Sequence, residues 1–117
     1  FATSNELWRA TLETLDFIPL STADYGGGII ITDWYNNTSE TKESLKISVR
    51  FLTNEIRSDA LLVKIFKKNC LTIQNCKVLP VNNDLNAEIK LAILKKATLF
   101  KNNKPTKPYV LNDGDNQ

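Results

Sequence analysis

The chain reads as α+β, an antiparallel sheet of three to four strands flanked by an N-terminal and a C-terminal helix. Three patterns predict this. Apolar residues recur at three- and four-residue steps near each end, they alternate strictly with polar ones in the middle, and the links between alternating runs are short and polar. Helical and extended periods place side chains on one face in these two ways, and short links between strands favour antiparallel pairing.

Thr3 followed by Glu6 reads as a capping box ahead of Leu7, Trp8, Leu12 and Leu15, which predicts a helix from about Asn5 to Asp16. Pro19 disfavours helical geometry at Ile18, so Phe17 and Ile18 are expected to leave the helix and enter the core. A short extended piece, Ile18 to Ser21, leads to Gly26, Gly27 and Gly28, which read as a tight turn after Asp24 and Tyr25. Ile29 to Tyr35 is rich in β-branched and aromatic residues and reads as a strand. Asn36 to Glu43 is polar and reads as a loop.

Leu45, Ile47, Val49 and Phe51 alternate with Lys46, Ser48, Arg50 and Leu52, a strand with one buried and one largely wet face. After a polar connection from Asn54 to Asp59, Leu61, Val63 and Ile65 alternate with Leu62, Lys64 and Phe66 in a third strand that should pair antiparallel with the second. Leu71 to Ile73 and Lys77 to Leu79 add a shorter fourth element around two cysteines. Asn82, Asn83 and Asp84 offer caps for a last helix whose stripe is Leu85, Ile89, Ala92, Ile93, Ala97 and Phe100. Lys90, Lys95 and Lys96 lie outside the stripe, and Lys101 and Lys104 complement the helix dipole. The expected division is one domain over 1–101 and a C-terminal tail over 102–117, rich in Pro and Asn and ordered only if something holds it.

Composition removes whole classes of mechanism. At 117 residues and 42% hydrophobic, the chain is large enough for one domain with its own core. Histidine is absent, and with it the commonest general base and the usual zinc ligand. A net charge of +2 is too small a bias to imply nucleic acid. No apolar run approaches the length of a membrane-spanning helix. Methionine is absent even at position 1, so Phe1 is expected to follow processing or to begin a piece of a longer protein. Cys70 and Cys76 are two ligands short of a metal site and lack the Cys-x-x-Cys spacing. They either close a hairpin, which would contribute about 1 to 3 kcal/mol and suit an oxidising compartment, or remain two thiols.

Candidate chemistry is sparse. The glycine run has neither phosphate-loop pattern and precedes a strand, not a helix. Asp24 and Asp33 could be imagined as a carboxylate pair, but a turn residue and a strand-rim residue are the readings their positions support. Trp8, Phe17, Tyr25, Trp34 and Tyr35 fit a core, or a cleft for an apolar ligand or peptide. Arg57, Ser58 and Asp59 form a charged corner between strands that reads as a local ion pair or turn more readily than as an anion site, and Lys64, Lys67, Lys68 and Lys77 form a basic strip that a solvated strand edge explains at least as well as RNA or lipid headgroups would. Asn36-Asn37-Thr38 and Asn37-Thr38-Ser39 fit the glycosylation pattern.

Leu7-Trp8-Arg9, Leu12 to Leu15, Phe17, Pro19-Leu20, Ala23-Asp24, Gly27-Gly28 and Ile29 to Tyr35 together resemble a family of alphaproteobacterial envelope proteins, usually lipoproteins, classed as a domain of unknown function. Glu55 to Asp59, Val63 to Phe66, Glu88-Ile89 and Ala92 to Leu94 agree with that pattern, whereas Cys70 and Cys76 lie outside it. More loosely, the Trp-bearing helix and the turn into an Ile/Thr/Trp strand are similar to the repeated domains of the BamC (NlpB) lipoprotein. That similarity implies a helix-grip arrangement and a role by contact.

The expectation is therefore a non-enzymatic periplasmic domain, without cofactor or metal, that binds an envelope protein through an exposed sheet face or the groove beside the last helix. In full length it would be an outer-membrane lipoprotein, attached only through an N-terminal anchor that this chain does not contain. Tyr25, Trp34, Tyr35 and Arg57 are the expected contact residues, and self-association is left open. The alternative is a helix-grip domain that binds a small apolar ligand or lipid in a cavity lined by Trp8, Ile31, Val49 and Phe100.

Overall fold

Ser4 starts the first helix. Its hydroxyl accepts the Leu7 amide (3.4 Å) and donates to Glu6 Oε1 (2.9 Å), so the cap lies one residue after the expected Thr3. The computed structural model describes residues 4–36 and 42–103, and Thr3, both glycosylation matches apart from Asn36, and all but the first two residues of the expected tail lie outside them. Helix α1 (Asn5–Thr14) is followed by strands β1 (Leu20–Asp24), β2 (Ile29–Thr32) and β3 (Glu43–Phe51). A short 3-10 turn (Ser58–Ala60) then precedes β4 (Leu61–Thr72), β5 (Asn75–Val81) and helix α2 (Asp84–Asn102).

The strands form one antiparallel sheet in the order β1-β2-β3-β4-β5. The sheet has five strands where three to four are expected. β1 pairs with β2 although all five of its residues are exposed, and the fourth element is a full strand reaching Val81. Asp24 and the glycines make the β1–β2 turn: Asp24 Oδ1 accepts the Gly27 amide (2.9 Å), and Gly28 takes φ 69°, a conformation that favours glycine. Asn83 caps α2 by accepting the Leu85 amide at 2.9 Å.

Both helices lie on the same face. In β3 and β4 the residues that alternate inward, Ile47, Val49, Phe51, Leu61, Val63 and Ile65, join Ile30 and the helical Leu7, Ala10, Ile93 and Ala97 in one buried cluster. Two side chains expected there are elsewhere. Phe17 is 58% exposed, with only Ile18 entering the core, and Ala92 lies on the solvent side of α2 because Ile93 and Ala97 define the buried stripe. Thr11 and Thr32 are fully buried and hydrogen-bonded, Thr11 Oγ1 donating to the Leu7 carbonyl (2.8 Å) and Thr32 Oγ1 accepting the Ile47 amide (2.9 Å).

Beyond Ile65 the β4–β5 hairpin runs past the helices, and every residue of β5 except Val81 is exposed. The Cα radius of gyration is 17.3 Å, against roughly 13 Å for a compact chain of this size. Cys70 and Cys76 face each other across the hairpin and form a disulfide, with Cα atoms 4.0 Å apart. Closing so short a loop restrains local opening by about 2 kcal/mol. Replacing both cysteines by serine should therefore speed amide exchange at Leu71 to Asn75 by about tenfold or more and lower global stability by less than ~1 kcal/mol. Hydrogen exchange and denaturant unfolding check this; a global loss above ~3 kcal/mol would place the hairpin inside the cooperative core.

A candidate interaction surface on the open sheet face

The sheet register fixes what the uncovered face presents. Across the strands run the rows Ile29–Arg50–Leu62, Ile31–Ser48–Lys64, Lys46–Phe66–Pro80 and Ser44–Lys68–Val78. None of these residues is buried, and Leu62 and Val78 are 40% and 50% exposed. Arg50, Lys46, Lys64 and Lys68 are interleaved with aliphatic and aromatic groups.

Trp34 joins this face through a local irregularity. Between the pairs Ile31–Ser48 and Tyr35–Leu45, the β2 side advances four residues while β3 advances three, so one extra residue is accommodated. The Trp34 ring consequently lies 5.1 Å from Lys46 Nζ and 4.5 Å from Lys68 Nζ, measured to its centroid. Each such contact is worth roughly 0.5–1 kcal/mol at a wet site, and together they hold the indole against the sheet.

The four expected contact residues do not converge. Tyr35 belongs to the helix side, where it packs edge-on against Phe17 with ring centroids 5.3 Å apart. Tyr25 stacks edge-on against Trp8 (5.1 Å) at the β1–β2 turn, five residues along β3 from the Tyr35 row, a separation of ~17 Å. Arg57 is half exposed and bonds Glu55 (2.7 Å) and Asp59 (2.6 Å). With Ile56, it borders an open groove of about 440 Å3 beside Leu94, Lys95, Thr98 and Leu99 of α2.

The basic strip is also divided. Lys64 and Lys68 lie on the open face, whereas Lys67 and Lys77 occupy the opposite register rows, and β4 is an interior strand, not an edge. Lys46, Lys68, Phe66 and Arg50 are thus surface residues that the sequence-level site omits, although the alternation of β3 already puts Lys46 and Arg50 on the wet side. The cavity lining required for a buried ligand is split too: Ile31 opposes Ser48 on the open face, and Val49 opposes Ile30 on the covered one. Asp24 serves the turn, and among the described residues no three His, Cys, Asp or Glu side chains gather as a metal set. No helix among them is long and apolar enough to cross a membrane.

Comparison with known proteins agrees on kinship and is silent on activity. The chain is 40% identical over 93 residues to an uncharacterized protein of Rickettsia prowazekii (strain Madrid E), a match covering 78% of this chain and 54% of that protein. The chain thus spans about half the length of the curated relative it matches. No solved structure matches it. Residues 1–102 match the model of a family described as a domain of unknown function (DUF3576), and the chain belongs to that family.

Proposed function

We propose that this domain is a non-enzymatic component of the cell envelope that works by holding another protein against its open sheet face. The observation that carries the reading is the asymmetry of the sheet. Two helices cover one side over the buried core of β2, β3 and the start of β4, while the other presents Ile29, Ile31, Trp34, Leu62 and Phe66 among four cations. Mixed apolar and cationic surface of this kind marks contact sites, and Trp and Arg are the residues on which binding energy concentrates. The Cys70–Cys76 disulfide supports a periplasmic setting, because such bonds persist in oxidising compartments.

A lipid anchor in the full-length protein, a place in outer-membrane assembly or maintenance and a BamC-like helix-grip relationship belong to the same proposal. They are supported by the family resemblance and by the long α2 laid against an antiparallel sheet. A small-ligand role finds less support, since the groove beside Ile56 is open and Trp8, Ile31, Val49 and Phe100 enclose no common space.

The test is site-specific photocrosslinking in the parent cell. A photoreactive residue at Ser48 or Lys64 should trap one envelope protein, and the same group at Lys90 on α2 should not. Trp34→Ala should weaken that complex by about 30-fold or more while leaving the fold intact. A folded protein giving no adduct from the open face would sink the proposal.

A further inference from the structure

The tip of the β4–β5 hairpin is a second surface, separate from the open face around Trp34. Ile73 is 98% exposed and Leu71 69%, and the part of β4 beyond Ile65, about 20 Å long, carries them past the helices. An isoleucine this exposed on a disulfide-clamped turn is held ready for an apolar environment, with little left to order on binding.

Charge selects the environment. From Ala60 to Asn83 the sequence contains four lysines and no acid. Lys42 Nζ donates to the Leu71 carbonyl at 3.5 Å, and Lys77 lies opposite Asn69 on the hairpin. Glu43 lies in the same register row as Asn69 and Lys77 and is turned to Lys67 and Asn69, which leaves Lys42 and Lys77 as the cations nearest the tip. A stable protein interface needs roughly 800 Å2 from each partner, more than a four-residue tip offers. Apolar side chains backed by lysines instead match a bilayer, where hydrocarbon lies beneath anionic headgroups.

We propose that this tip contacts an anionic phospholipid bilayer, with Ile73 and Leu71 entering the interface and Lys42 and Lys77 meeting lipid phosphates. The contact does not depend on the protein-binding role of the open face. It would orient the domain at the membrane.

Vesicle flotation of the purified chain tests it. The chain should float with vesicles of mixed phosphatidylcholine and phosphatidylglycerol and not with phosphatidylcholine alone, and added salt should weaken the association. Ile73→Asp and the pair Lys42→Glu with Lys77→Glu should each reduce partitioning about tenfold or more, with circular dichroism unchanged. Trp34→Ala should float like the unaltered chain. Failure of the unaltered chain to float, or equal flotation of Ile73→Asp, would overturn the proposal. So would a loss with Trp34→Ala matching that with Ile73→Asp. A dimer in vesicle-free solution that Ile73→Asp dissociates would assign the tip to a second copy and overturn it as well.

Discussion

Ile93→Ala is expected to cost the fold about 3 to 4 kcal/mol, and Ile93→Asp to prevent folding, whereas Ala92→Glu should change stability by less than ~0.5 kcal/mol. Ile93 is completely buried at the place where α2 meets the sheet and α1, and Ala92, its chain neighbour, is exposed. Truncation of a buried isoleucine removes transfer energy and leaves a cavity that close-packed neighbours fill only in part. Total stability for a domain of this size is of the order of 5–15 kcal/mol, so a carboxylate in that position is not survivable. Denaturant unfolding of the three variants reads the rotation of α2 directly. Comparable losses at Ala92 and Ile93 would mean that the helix packs on a different face.

A second large effect is expected at Thr32, where valine should cost about 2 kcal/mol although its shape is nearly unchanged. Thr32 Oγ1 accepts the buried Ile47 amide and donates to the Asp33 carbonyl (both 2.9 Å). Valine would leave that amide in the core without an acceptor, which costs the desolvation of a buried donor. Thr11→Val is the matched control. Thr11 only adds a second donor to the Leu7 carbonyl, which keeps its helical backbone bond, so the change should stay within ~1 kcal/mol. Equal losses at the two positions would show that the hydroxyl of Thr32 does not join β2 to β3.

These residues also show what the sequence exposes and what it hides. β3 and the start of β4 are legible because burial on one face imposes alternation, and α1 is legible because its stripe is apolar. β1 is legible only in its first residues, within the extended piece expected over Ile18 to Ser21: Leu20 to Asp24 are all exposed, so no side-chain pattern marks a strand held by backbone pairing with β2. The later part of β4 and most of β5 are obscured for the same reason, since Lys67, Lys68 and Asn69 break the alternation where the helices no longer cover the sheet. Thr11 and Thr32 are missed because counting apolar residues overlooks polar groups that are buried with their partners.

The contact surface is half legible. Trp34 stands out by type, but its partners Lys46 and Lys68 come from two other strands and are brought over its ring only by the register and the extra residue before Tyr35. Tyr25 and Tyr35 attract attention as aromatics and prove to be spent on Trp8 and Phe17. Arg57 is occupied by its own sequence neighbours.

The fold is a five-stranded antiparallel meander with helices on one side and, among the described residues, nothing covering the other. Thiol labelling of the folded protein at two adjacent positions of the interior strand β4 tests this most directly. A cysteine introduced by Lys64→Cys should react about as fast as in the unfolded chain, while one introduced by Ile65→Cys should react only through unfolding. Slow labelling at both positions would show the sheet covered on both faces and contradict the account.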